Sequence, residues 1–218
     1  MEPNDARLRA GLTFFGRITA NMTHEIKNVL AVINEISGLF SDLCTAAERG
    51  RPLDPAQLAR LSGKMCEQIQ RADGVVKRLN RFAHSVDSPC QAVDLQEMLE
   101  LFSNLTRRLS EQKSVTVTVR TSDPACTCGT DHYGLLLLLF LGLEMVWENV
   151  EKGSSVTLFA RGDKDSATVG FECPVLRPLA PNPEKKLFWD SWLAKMNATA
   201  AAPGKSGALE ITLPRGLV

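Results

Sequence analysis

Thr19-Ala20-Asn21-Met22-Thr23-His24-Glu25-Ile26-Lys27-Asn28-Val29-Leu30 is the stretch on which the reading of this chain turns. Apolar residues run through and beyond it at Phe15, Ile18, Met22, Ile26, Val29, Ile33, Ile36, Phe40 and Leu43. Steps of three and four residues are the period of an amphipathic helix packed in a bundle. His24 falls between the seam positions Met22 and Ile26. Residues four apart share a helix face, so Ala20, His24 and Asn28 line up outside the core. A lone histidine on a helix is usually a solvated side chain. Here its neighbours give it a chemical context.

His24-Glu25-Ile26-Lys27-Asn28 resembles the H-box of sensor histidine kinases, whose usual form is H-E-hydrophobic-[K/R]-[N/T]-P-L. Five consecutive positions match. Val29 stands where that family normally has proline, which loosens the helix after the phosphoacceptor. Its absence implies a straighter helix. The resemblance makes His24 the phosphoacceptor, with Glu25 orienting its ring. Lys27 and Asn28 would hold phosphoryl oxygens or contact a receiver domain, and Ala20, Asn21 and Ala31 would complete the receiver-binding face. Catalysis would rest on His24, Glu25 and Asn28.

The chain has 218 residues, 44% of them hydrophobic and 23% charged, the composition of a soluble globular protein. Lys+Arg and Asp+Glu both number 25, so the net charge is zero. That argues against nucleic acid or an anionic membrane as partner. Six scattered cysteines do not form a disulfide framework and point to a reducing cytoplasm. Cys126-Thr127-Cys128 lacks a second ligand pair, so no metal site is expected. The N-terminus shows no signal peptide, and the apolar run Leu135–Leu141 is far shorter than the ~20 residues that span a bilayer.

Taken in order, the pattern predicts a helix from about Asp5 to Arg49 and a turn through Gly50-Arg51-Pro52-Leu53-Asp54-Pro55. Asp54 would cap a second helix and Pro55 would be its first residue. That helix runs to about Val86, with Leu58, Leu61, Met65, Ile69, Ala72, Val76, Leu79, Ala83 and Val86 as its seam. An antiparallel hairpin of this length leaves apolar surface open, and two copies would bury it as a four-helix bundle. The resemblance implies that residues 1–88 are a dimerisation and histidine-phosphotransfer hairpin, and a linker follows at Asp87–Ala92. Beyond it the pattern is mixed. Helices are expected at Val93–Gln112, Asp131–Val150 and Glu184–Met196. Strands are expected at Ser114–Arg120, Ser155–Arg161, Ala167–Cys173 and Ala208–Leu213. The fold class is α+β, and residues 93–218 resemble the ATP-binding α/β sandwich of histidine kinases in layout.

In motif they depart from it. The family's magnesium-holding asparagine on the central helix corresponds to Met145. Its Asp-x-Gly-x-Gly loop is replaced by Phe171-Glu172-Cys173-Pro174-Val175. Its second glycine-rich loop gives way to Pro174–Pro183, with four prolines, and Gly204 and Gly207 read as a turn. ATP is therefore not expected to bind, and no cofactor belongs to this chain. The combination resembles the dimeric histidine phosphotransferases. It implies His24 exchanging a phosphoryl group with a receiver-domain Asp, with Mg²⁺ supplied by the receiver. An upstream hybrid histidine kinase would be a further partner. Free imidazole titrates near 6.5, so a histidine nucleophile is substantially neutral at cytosolic pH. An autokinase with a divergent ATP site and a noncatalytic adaptor or inhibitor are the alternatives. His84, His132 and the three tryptophans read as structural.

Overall fold

The structure, a computed structural model, describes residues 3–122, 126–174, 183–201 and 207–215. Helix α1 spans Pro3–Glu48 without interruption, and α2 spans Pro55–Ala83. Val29, standing where a proline would break the ladder, is buried at 1% exposure. The end of α1 is closed by Gly50, at φ 82°. The Gly50 N–H donates to the Ala47 carbonyl at 2.9 Å and the Arg51 N–H to the Ala46 carbonyl at 3.0 Å. This is the left-handed cap that glycine alone adopts without strain. Asp54 caps α2 as expected, its Oδ1 accepting the Ala56 N–H at 2.9 Å.

The chain divides into two compact units. One is Thr19–Arg81; the other takes in α1 up to Ile18 together with the chain from Phe82 onward. In the second unit a short 3-10 turn, His84–Val86, leads to β1 (Gln91–Asp94) and α3 (Leu95–Gln112). The remaining elements are β2 (Thr116–Val119), β3 (Thr127–Thr130), α4 (His132–Asn149), β4 (Ser155–Gly162), β5 (Ser166–Glu172), α5 (Pro183–Lys195), β6 (Thr199–Ala201) and β7 (Ala208–Pro214). A mixed sheet runs in the order β2-β4-β5-β7-β6, with β2 parallel to β4 and the other pairs antiparallel. β1 and β3 make a separate two-stranded ribbon. Helices against a sheet give the expected α+β sandwich.

Several expectations need correcting. Val93 lies in β1 and not at the start of a helix, because Asp94 is the true N-cap of α3 and accepts the Gln96 and Glu97 N–H groups. The ribbon strands and β6 were not foreseen. Both ribbon strands are four residues long, and β6 is three, too short for alternation to register. In α1 the core takes Phe14, at 1% exposure, and leaves Phe15 at 39%. The α2 seam also splits. Leu61 and Val75 are buried, whereas Ile69, Val76 and Val86 are exposed. Residues 175–182 and Gly204 lie outside the described residues.

Helix α4 is apolar on every side from Leu135 to Leu143. Leu135, Leu136, Leu137, Leu138 and Leu139 are all at 0% exposure. Such a helix must be covered all round. The start of α1 supplies part of the cover, with Phe14 packing on Phe140, Phe82 and Tyr133 at centroid distances of 4.9, 5.3 and 5.7 Å. The Tyr133 hydroxyl donates to the Gly11 carbonyl at 2.7 Å. Arg17 lies over the Phe140 ring and pairs with Glu144.

Burial, with Asp131 adding to it, pushes the Tyr133 phenol up from 10.0 to about 12. The folded state therefore holds this proton more tightly than the unfolded chain. The stabilisation is complete below about 10 and is lost as pH rises through about 12. Tyr133 is the single tyrosine of the sequence, so phenolate absorbance near 295 nm reports it alone. The native protein should titrate near 12, and the urea-unfolded protein near 10. A native midpoint near 10 would contradict the buried placement.

Candidate functional site

His24 stands on α1 within the Thr19–Arg81 unit, with an exposed side chain. Thr23 beside it is tied to the helix, its hydroxyl donating to the Thr19 carbonyl at 2.9 Å. Ala20, Lys27, Asn28 and Ala31, expected on the receiver-binding face, are exposed. Asn21 is not: it is buried at 7% exposure, three residues before His24 and turned toward the packed side.

Glu25 is buried as well, at 6%. Its Oε1 lies 3.8 Å from Arg71 Nη2 and 3.9 Å from Arg78 Nη2, both on α2. Glu25 thus faces across the hairpin, and α2 near residues 71–78 stands level with His24. A carboxylate placed this deep between two helices is tolerated because it has cations opposite it. Sequence reading gave Glu25 to the imidazole. The structure puts its carboxylate against two arginines that no linear motif connects to it.

The hairpin has two unlike sides. On α1 the buried line includes Ile18, Glu25, Val29 and Ile36; on α2 it includes Val75. Helix positions turn by about 100° per residue. In an antiparallel pair of right-handed helices, the residue after a buried one emerges on the same side from both. Ile26, after Glu25, and Val76, after Val75, therefore share one side. His24 and Gly74, each one residue before, share the other. Ile33 is nine residues beyond His24, about two and a half turns, which sets it on the opposite side of α1. Exposed Leu30, Ile69 and Val76 belong to the Ile33 side, so its apolar stripe is open while His24 stands clear of it.

In the second unit, the position of the expected magnesium ligand is Met145 on α4, at 4% exposure. The polar groups around it are engaged. Glu144 pairs with Arg17, Glu148 with Lys185, and the Asn149 amide donates to the Met145 carbonyl at 2.8 Å. Where an adenine-reading Asp would follow β5 stands Cys173, fully buried, its N–H donating to the Gly207 carbonyl at 3.0 Å. Among the described residues no group of three or more His, Cys, Asp or Glu is placed to hold a metal. Cys126 and Cys128 are buried, and burial pushes both thiols up from the ordinary value. His84 is exposed, its Nδ1 2.7 Å from Asp87 Oδ2, and His132 Nδ1 lies 3.1 Å from Gln91 Nε2.

Full-length ShkA, solved in complex with AMPPNP, is similar to this chain at a TM-score of 0.50 and 14% identity, over 88% of this chain and 46% of that one. The architecture is a histidine-kinase fold. Acinetobacter baumannii histidine kinase AdeS is similar at a TM-score of 0.48 and 9% identity, over 88% of this chain and 97% of its own. Histidine kinase ThkA in complex with the response regulator protein TrrA is similar at 0.45 and 14%, over 98% of this chain and 65% of that one. No family model and no curated protein sequence matches the chain.

Glu25→Ala should destabilise the protein by about 1–3 kcal/mol in urea unfolding, because Arg71 and Arg78 lose their shared counter-charge. An unchanged midpoint would mean that the carboxylate does not hold the hairpin.

Proposed function

We propose that this chain is a dimeric histidine phosphotransferase of two-component signalling. In this reading His24 exchanges a phosphoryl group with the aspartate of a receiver domain, in the cytoplasm. The observation that carries it is the contrast within one chain. The H-box histidine is open on its helix, whereas Met145 is buried on α4 between carboxylates already paired with Arg17 and Lys185. Phosphoryl transfer asks a protein chiefly for positioning and charge neutralisation, so a relay needs no nucleotide site of its own. Mg²⁺ would come from the receiver, and an upstream hybrid histidine kinase would charge it.

The dimer follows from exposed apolar surface. Helix α1 is long and apolar enough to cross a membrane by length and composition, yet only 11% of its most apolar 18-residue window is buried. Exposed Leu30, Ile69 and Val76 need a cover. A second hairpin would provide it through the Ile33 side and leave both His24 residues outward.

The autokinase alternative is favoured by ShkA, which holds a nucleotide analogue in a related fold. The adaptor alternative would leave His24 chemically silent. One experiment separates the three readings: incubation with Mg-ATP alone, then with phosphorylated receivers, counting acid-labile phosphate on His24. Label from receivers only, abolished by His24→Gln with the dimer intact, is the expected result. Label from ATP alone would restore the kinase, and no label on any receiver would favour the adaptor. Ile33→Asp should convert the dimer to monomer or unfold it in light scattering. A wild-type monomer at micromolar concentration would refute the dimer.

A further inference from the structure

Arg78 is an anomaly in the hairpin. Its side chain is 27% exposed, its Nε is buried with no hydrogen-bond partner, and its Nη2 lies 3.9 Å from Glu25 Oε1. Arg71 Nη2 lies 3.8 Å from the same oxygen. Charged N–H···O bonds run at about 2.7–2.9 Å, so at these lengths the two arginines are held by Glu25 without being hydrogen-bonded to it. An unmatched buried donor costs stability and calls for a reason. The position supplies one. Arg78 lies on the hairpin side that carries His24, level with it. Gly74 shares that side by helical turn, and the nearest atom to a Cβ added there would be Arg78 Nη1, at 3.4 Å. Arg71, Gly74 and Arg78 follow one another at three and four residues, one stripe of α2. The side chain missing at Gly74 leaves a notch with a guanidinium on its floor.

We propose that Arg78, assisted by Arg71, binds the oxygens of the phosphoryl group during transfer at His24, and that Glu25 holds both arginines ready for it. The inference rests on the phosphotransfer reading and deepens it. In the step, the His24 ring nitrogen forms a P–N bond as the P–O bond to the receiver aspartate breaks. The electron pair leaves with the aspartate carboxylate, and the proton on the other ring nitrogen passes to water. Negative charge collects on the three equatorial oxygens, where the Nη groups of a planar guanidinium bind better than a flexible ammonium. Glu25 thereby acts as a positioning residue through the arginines.

Phosphoramidate tests this without a receiver, since attack by His24 breaks its P–N bond and releases ammonia. Arg78→Gln should lower the first-order rate of His24 labelling at saturating phosphoramidate by ~10-fold or more, as loss of a transition-state oxyanion donor does. Arg78→Lys should recover part of that loss. Gly74→Leu keeps the arginine but fills the notch. It should raise the melting temperature, because leucine favours helix over glycine, and still slow labelling. That opposite pair of effects separates the site from damage to the fold, which circular dichroism of each variant also checks. Wild-type labelling rates in folded Arg78→Gln, or in Gly74→Leu, would overturn the proposal while leaving phosphotransfer standing. A wild-type protein labelled neither by phosphoramidate nor by receivers would remove both.

Discussion

The burial of α4 is the constraint on which the rest of the second unit depends. Leu135 through Leu139 have no accessible surface, and Val146 has none either. A helix without a polar face cannot sit at the surface of a two-layer sandwich unless something lies over it. The sheet and α3 cover one part, and α5 another. The first turns of α1 supply the remainder through Phe14, Gly11 and Arg17. The helix that carries the H-box is thereby committed at its base to a different core from the one that holds its middle. That division is visible in the aromatic cluster of Phe14, Phe82, Tyr133 and Phe140, whose members come from three separate stretches of sequence.

The long elements were legible because their periodicity is local. Both hairpin helices, α4 and the β4–β5 pair appear in the structure within a few residues of where spacing placed them. What spacing could not separate is two adjacent apolar stripes on one helix. Phe14 and Phe15 are neighbours of equal hydrophobicity, and only the presence of Phe140 and Tyr133 decides which goes inward. The same ambiguity joined Leu61 of the inner line of α2 to Ile69 and Val76 of the outer one and passed over buried Val75. The ribbon was missed because Thr127-Cys128-Gly129-Thr130 carries almost no strand signal. It is a strand through pairing with Gln91–Asp94.

The site was legible to the same extent. His24, Lys27 and Asn28 belong to a linear motif and lie on the exposed side of α1 where the motif puts them. Met145 and the Cys173-Pro174 substitution were also readable from position. Glu25 was readable as a residue but not as a neighbour. Its arginines are on the other helix, and antiparallel register is a property of the fold. The same holds for Arg17 and Lys185, whose pairing with Glu144 and Glu148 nothing in the local sequence announces.

Those last two pairs bear on which substitutions α4 tolerates. Met145→Asn alone would set an amide among apolar side chains, beside carboxylates already neutralised by Arg17 and Lys185. A polar, ion-holding α4 surface would require releasing both cations, and moving Arg17 would strip the cover from Phe140 at the base of α1. The packing of α4 therefore ties positions 17, 145 and 185 into one unit that a single substitution cannot rewrite.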